Sequence, residues 1–199
     1  MSIHMETPAA VRIDSHGPAG FWIRSLAAVL DFVVLTPIIA LVMLATYTDS
    51  QSLLVAALLF STVAGYAYIL LFLTRSGQTL GKRAVGIRVI RAKDDLPIGW
   101  PEAIKRTIAQ ANFGVLKIFV GVWNILVLSP VEYSAMPPAV RQTLANQGTT
   151  YRVLDAFTYA WLFASIVTLF TNPRRRSLHD YIGGTAVVVL PPPKPRAVI

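Results

Sequence analysis

Residues 52–74 form a predominantly apolar stretch without a single charged side chain, and this feature constrains the fold more than any other. A helix of this length spans about 34 Å, which is enough to cross the hydrocarbon core of a bilayer. Over the whole chain, 54% of the 199 residues are hydrophobic and 14% are charged, whereas an ordinary soluble domain carries about 25% charged residues. The chain is therefore predicted to be an integral membrane protein.

Three further stretches of similar length and character lie at 21–47, 109–131 and 154–171. Together with residues 52–74 they predict an all-α membrane protein with four transmembrane helices. Lys and Arg residues concentrate in segment 75–106, which has eight, and after residue 171, where there are five. The connections 48–52 and 132–153 carry none and two. Because Lys and Arg accumulate on the cytoplasmic side, both chain ends are predicted to lie in the cytoplasm.

The basic segment 75–106 has structure of its own. Residues 85–91 are rich in β-branched side chains and run into a turn at 93–97, which favours a strand and a β-hairpin in this cytoplasmic loop. Residues 101–110 predict a short amphipathic helix suited to the membrane interface before the third span, with a solvated connector as the alternative. Residues 1–18 and the Pro-rich 190–199 are predicted to be flexible tails, which leaves 19–189 as the transmembrane domain.

Charged residues inside the spans are the candidates for function. Arg24 and Asp31 lie seven residues apart in the first span, about 10 Å along the axis of a helix. A carboxylate at the depth of Asp31 costs about 2.5–3.5 kcal/mol on insertion scales. Two interpretations follow, namely a proton or cation site and a salt-bridged or hydrogen-bonded pin between helices. Lys117, in the third span, is expected to extend its ammonium to the membrane surface.

Two motifs outside the spans also carry polar side chains. His179 and Asp180 follow three arginines at the end of the fourth span. They fit a proton relay, or a helix cap that pairs with arginine. The run Gly77–Lys82 resembles a phosphate loop, but only three residues separate its glycines and Arg83 follows the lysine, so the spacing does not fit nucleotide binding. Its glycines instead indicate a tight turn at the membrane surface.

These motifs, in this order, resemble those of the RDD family of bacterial membrane proteins, which is named for one arginine and two aspartates. The resemblance rests on GFWIRSLAAVLD at 20–31, GQTLGKR at 77–83 and SLHD at 177–180. It implies a multi-pass protein of the bacterial cell (inner) membrane. The residues singled out are the charge cluster Arg24, Asp31 and Asp180 and the loop motif Gly77, Gln78, Gly81 and Lys82. We expect Arg24 to pair with Asp180 beneath the first helix.

Some members of the family have been proposed as cation/proton antiporters, so the resemblance implies a secondary transporter with Asp31 as its intramembrane carboxylate. The alternative is a non-catalytic scaffold or accessory subunit whose charge cluster is structural. No enzyme activity, cofactor or metal site is expected, since the chain has no cysteine and three histidines. The expected partner is a bilayer with anionic headgroups, and the sequence is compatible with a homo-oligomer or a membrane partner protein. Nucleic acid is not expected, because the basic residues flank apolar spans.

Overall fold

The computed structural model describes residues 17–191, so the predicted tails 1–18 and 190–199 lie almost entirely outside the described residues. Eight helices and two strands are present in this part of the chain. In chain order they are α1 (Phe21–Thr46), α2 (Gln51–Ser76), α3 (Leu80–Ala84), β1 (Ile87–Arg91), α4 (Trp100–Leu126), α5 (Pro130–Ala135), α6 (Pro138–Leu144), α7 (Thr149–Thr171), α8 (Leu178–Gly183) and β2 (Thr185–Val189).

Three of these helices are long and apolar enough to cross a membrane. Helices α1, α2 and α7 have mean hydropathies of 2.5, 2.1 and 1.7, and α4 qualifies as a fourth span when its halves Trp100–Ala111 and Phe113–Leu126 are taken together. Large apolar side chains such as those of Val63, Phe119 and Phe163 are more than 60% exposed. Such a surface requires lipid, since a soluble protein exposes few contiguous apolar patches of this size.

The long helices pack in the order α1, α2, α4, α7, with each contacting the next. At one end of this bundle, α3 packs on α1 and α8 packs on α4, and the two strands lie beside them. We call this the basic end, because it carries Lys82, Arg88 and the three arginines 174–176. Helices α5 and α6 close the opposite end, where the buried Arg141 donates to the Thr48 carbonyl at 2.6 Å and to Asp49 Oδ1 at 2.7 Å.

The predicted strand at 85–91 is present as β1, but its main partner is not local. Strand β1 pairs antiparallel with β2, with Val89 opposite Val187, and the turn after β1 is closed by a single bridge between Ile90 and Pro97. The predicted hairpin within the loop is therefore corrected to a two-stranded sheet that joins segments about 100 residues apart. Ile87, Val89 and Val187 are buried and pack with Ala27 and Leu73 in the core of the basic end.

The predicted helix at 101–110 is also present, as the first half of α4 and not as a separate element. Gly99 begins this helix, Pro101 occupies its first turn, and the Glu102 side chain accepts from the Gly99 N–H at 3.0 Å. The side chains of Ala103, Arg106 and Thr107 are buried against the rest of the basic end. The described geometry thus places this segment in the packed bundle, and a position in the membrane interface is not confirmed.

Helix α3 is held so close to α1 that only glycine fits at the contact. A Cβ atom added to Gly81 would lie 2.8 Å from the backbone nitrogen of Asp31 and even nearer the Ala27 carbonyl oxygen. Gly81→Ala should therefore push α3 away from α1 and lower the thermal unfolding temperature in detergent, by an amount typical of overpacking, about 1–3 kcal/mol.

Gly65→Ala is the matched control for this prediction. Nothing lies within 4 Å of a Cβ added to Gly65 in the middle of α2, and alanine is the better helix former by about 0.5–1 kcal/mol. This variant should unfold at the same temperature as the wild type or slightly above it. Equal unfolding temperatures for the two variants would contradict the close packing of α3 on α1.

Candidate functional site

The carboxylate of Asp180 is fully buried and is the centre of a first polar cluster at the basic end. Its Oδ2 accepts from Arg24 NH1 at 2.7 Å, and its Oδ1 contacts Arg106 NH1. The Ser177 N–H and hydroxyl donate to Oδ2 at 2.9 and 2.7 Å, which completes the N-terminal cap of α8. The predicted pair between Arg24 and Asp180 is thus present, and a second arginine shares the same carboxylate.

Both arginines also donate to groups outside this carboxylate. Arg24 Nε donates to the Ala19 carbonyl at 3.0 Å and its NH2 donates to the Arg175 carbonyl at 2.6 Å. Arg106 NH1 donates to the Thr185 hydroxyl at 2.9 Å. The cluster therefore ties the start of α1, the first half of α4, α8 and β2 to one point.

His179 lies beside these cations and is kept neutral by them. Burial, together with the positive charges of Arg106, Arg24 and Lys82, lowers the pKa of His179 to about 2. Its Nε2 lies 3.0 Å from the Ser177 hydroxyl. Of the two roles considered for residues 179–180, the structure shows capping and pairing by Asp180, which caps α8 and pairs with Arg24.

Asp31 is the centre of a second cluster, deeper in the bundle. Its Oδ1 accepts from the Tyr68 hydroxyl at 2.7 Å and from the Gly81 N–H at 2.8 Å, and its Oδ2 accepts from the Thr79 hydroxyl at 2.5 Å. The Lys82 Nζ lies 3.7 Å from Oδ2 and donates to Thr79 Oγ1 at 3.2 Å. Three hydrogen-bond donors and one ammonium thus surround this carboxylate.

The Lys82 ammonium is less stable than its counterpart in water. Burial lowers its pKa to about 8, with a further lowering by the positive charge of Arg106, while the nearby Asp31 carboxylate opposes both effects. An ordinary lysine side chain has a pKa of about 10.4. Lys82 is therefore a group that titrates close to physiological pH, with its Nζ 3.7 Å from the Asp31 carboxylate of α1.

The loop motif predicted from the sequence builds this second cluster. Gly77 ends α2 in the left-handed conformation with φ of 69°, which glycine adopts at no steric cost. The chain then turns so that Gln78 Nε2 donates to the Ile87 carbonyl at 2.8 Å, which holds β1. Gly81 and Lys82 follow at the contact with α1. All four motif residues thus serve the turn that brings α3 onto Asp31.

The two clusters border one cavity of about 430 Å³ between α1, α2, α4 and α7. Its walls include Arg24, Asp31, Lys82 and Arg106, together with apolar side chains of α1 and α7. The buried Ser165 of α7 also faces this cavity, and its Oγ has no hydrogen-bond partner among the described residues. A partly open, largely apolar cavity with these charged groups on its wall thus lies at the basic half of the bundle.

The structure places all the predicted site residues in this half of the molecule. It also shows three further residues in the two clusters. Arg106, Thr79 and Tyr68 were not predicted as members of the site. Thr79 lies inside the loop motif at 77–83, and Arg106 lies inside the amphipathic helix predicted at 101–110, so both had a weak signal in the sequence. Tyr68 had none, because its only distinction is a position one helix away from Asp31.

Comparison with known proteins gives a family and two relatives. The family model described as RDD family matches residues 18–184. The uncharacterized membrane protein YteJ of Bacillus subtilis (strain 168) is 30% identical over 108 residues, which cover 51% of this chain and 66% of YteJ. The uncharacterized protein YckC of the same organism is 26% identical over 176 residues, which cover 88% of this chain and 87% of YckC. No solved structure matches the chain.

Removing the charge of Asp180 tests the central role of the first cluster. Asp180→Asn keeps the shape of the side chain but leaves Arg24 and Arg106 buried without their counter-ion. Breaking a buried pair in this way costs about 3–5 kcal/mol. We expect a large drop in the thermal unfolding temperature in detergent micelles.

Asp94→Asn is the matched control. Asp94 pairs with Arg91 at 3.1 Å, and both side chains are about one-third exposed. Surface pairs of this kind contribute about 0–1 kcal/mol, so the unfolding temperature should barely change. An Asp180→Asn variant as stable as Asp94→Asn would show that the cluster does not hold the basic end together.

Proposed function

Because this chain belongs to the RDD family of membrane proteins, and because an ammonium and a carboxylate meet inside its bundle, we propose that it is a secondary transporter that exchanges monovalent cations for protons. Asp31 is the carboxylate that binds the cation, and Lys82 carries the proton. In this proposal the protein resides in the bacterial inner membrane with its basic end in the cytoplasm, as the distribution of Lys and Arg indicates.

The observation that carries the proposal is the position of the Lys82 ammonium. Its Nζ lies beside two oxygens, Asp31 Oδ2 at 3.7 Å and Thr79 Oγ1 at 3.2 Å. Oxygen atoms are the ligands that hard cations take in proteins. A monovalent cation and the ammonium would therefore compete for the same place, and one would leave when the other binds.

The charges of the side chains around the cavity are consistent with the exchange of one proton for one monovalent cation. With Lys82 protonated, three cationic side chains (Arg24, Lys82 and Arg106) face the two carboxylates of Asp31 and Asp180. When Lys82 releases its proton to water, binding of one monovalent cation restores the same net charge. The exchange of one proton for one cation thus leaves the electrostatic energy of the buried cluster nearly unchanged.

The pKa of Lys82 sets the pH at which this exchange should be fastest. Below pH 8 the ammonium is protonated and occupies the site, whereas well above pH 8 too few protons return to displace the cation. Exchange needs both states, so its rate should pass through a maximum near pH 8.

A scaffold or accessory subunit is the second candidate. It is favoured by the three hydrogen bonds that Asp31 accepts from Tyr68, Thr79 and Gly81, since these alone would give the carboxylate a role in fixing α3. The two functions predict different behaviour for a variant in which residue 82 stays positively charged but cannot release a proton.

Lys82→Arg separates these two functions. Arginine keeps a positive charge beside Asp31, but its guanidinium holds its proton far more strongly than a lysine ammonium and does not release it near physiological pH. In proteoliposomes driven by a pH gradient, with Na⁺, K⁺ or Li⁺ offered in turn, we expect the wild type to exchange at least one cation. Lys82→Arg and Asp31→Asn should each reduce that exchange by more than about tenfold, a barrier increase of about 1.4 kcal/mol.

Lys105→Arg serves as the control, because Lys105 is an exposed lysine of the same helix as Arg106. Its exchange rate and its maximum near pH 8 should match the wild type. If the wild type exchanges none of the three cations, or if Lys82→Arg exchanges normally with an unchanged pH profile, the transporter proposal is wrong. A stoichiometric partner that copurifies with the inactive protein would then support the scaffold.

A further inference from the structure

Helix α4 carries a polar stripe that continues beyond the cavity described above. Arg106, Gln110, Lys117 and Asn124 are spaced by four, seven and seven residues, so they lie along one face of the helix. Helix α7, which packs against α4, carries Asp155, Thr158 and Ser165 at intervals of three and seven residues. The α4 polar stripe and these residues of α7 follow the whole length of the bundle.

An ammonium and a carboxylate meet further along this stripe, at Lys117. Lys117 Nζ lies 3.0 Å from Asp155 Oδ1 and 5.6 Å from the centre of the Tyr151 ring. The expected extension of Lys117 to the membrane surface is thus corrected, because its ammonium pairs with the next helix. Asp155 lies about 9 Å from the start of α7, whereas Asp31 lies about 15 Å from the start of α1 at the basic end.

Room for water exists beside Lys117, the cationic member of this second pair. Lys117, Tyr151 and Asn146 line a cavity of about 110 Å³ at the end closed by α5 and α6. A water molecule occupies about 30 Å³ in the liquid, so this volume corresponds to roughly three waters. Like Asp31 and Lys82, the pair has its carboxylate on one helix and its ammonium on another element.

An aromatic contact and a bend separate the two pairs. The rings of Phe113 on α4 and Phe157 on α7 are stacked with their centres 5.4 Å apart. Helix α4 bends by 54° between Ala111 and Phe113, so its first half lines the cavity with Arg106 and Gln110 while its second half carries Lys117. Helices interrupted near the middle of the membrane are typical of the elements that move in secondary transporters.

We infer that Lys117 and Asp155 form a second cation/proton site, used in alternation with the Asp31–Lys82 site and separated from it by the Phe113–Phe157 contact. The inference rests on the proposed exchange function and extends it across the membrane. At this second site a monovalent cation binds the Asp155 carboxylate as Lys117 gives up one proton to water, so charge is balanced as it is at the first site. Movement at the bend of α4 would open one site while the ring pair closes the path to the other.

Lys117→Arg distinguishes this site from a structural ion pair. Arginine keeps the charge and pairs well with a carboxylate, so the variant should fold and unfold at about the wild-type temperature. Because arginine does not release its proton, we expect cation/proton exchange in proteoliposomes to fall by more than about tenfold. Glu132→Gln, at an exposed carboxylate of α5, is the control and should leave exchange unchanged.

The outcomes separate the two proposals. Exchange that Lys82→Arg abolishes but Lys117→Arg leaves at the wild-type rate would overturn the second site and leave the first intact. Loss of exchange in both variants, with normal unfolding temperatures, supports the alternation between the sites.

Cation binding at the second site can be measured even if the wild type does not exchange. The chain contains no cysteine, so Asn146→Cys provides a single thiol in the cavity beside Lys117. In vesicles, Na⁺, K⁺ or Li⁺ should slow its labelling by a small membrane-impermeant thiol reagent, and the additional Asp155→Asn substitution should remove this protection. Labelling that none of the three cations slows would overturn the second site.

Discussion

The buried carboxylate of Asp180 is the interaction on which the basic end depends. A carboxylate without exposure to water is stable as an anion only if cations and hydrogen-bond donors replace its hydration, and Arg24, Arg106 and Ser177 supply these groups. Each comes from a different part of the chain, since 156 residues separate Arg24 from Asp180. One electrostatic requirement therefore fixes α1, α4 and α8 relative to one another, and β2 follows α8 directly into the sheet.

The two aspartates of the site differ in what surrounds them, and this difference separates structure from proposed function. Asp180 faces two guanidinium groups, which keep their protons at any physiological pH. Asp31 faces a lysine whose pKa is lowered to about 8, mainly by burial. The first cluster is thus permanently charged and rigid, whereas the second can lose its counter-ion without losing the three hydrogen bonds that hold α3. A titratable group next to a fixed framework is the arrangement that a coupled exchange site requires.

In a bundle of four long helices, the bent helix α4 divides the space available for a transport path into two parts. Its first half belongs to the cavity at the basic end, and its second half pairs with α7 through Lys117 and Asp155. In the proposed exchanger, each half needs to open to one side only. The stacked rings of Phe113 and Phe157 provide the apolar contact between them, so no second domain or inverted repeat is needed to separate the two sides.

The sequence by itself determined the membrane character, the four apolar segments and the residues of greatest interest. The start of α1 at residue 21 and the charge-free second span agree with the structure within two residues, because hydrophobic length and capping are local properties. The family motifs also placed Arg24, Asp31 and Asp180 in one site, and the pair between Arg24 and Asp180 could be predicted from their common end of the bundle.

Only the tertiary structure decided which residues contact each other across the chain. Four contacts illustrate this: β1 with β2, Arg106 with Asp180, Tyr68 with Asp31, and Lys117 with Asp155. They join residues that are 37 to 102 positions apart in the chain. Such contacts depend on which faces of neighbouring helices meet. Helical periodicity shows which residues share a face, but it does not show which other helix that face will contact. Membrane spans can be predicted from local hydrophobicity. The pairing of buried charges cannot, because it depends on how the helices pack and on which charged groups that packing removes from water together.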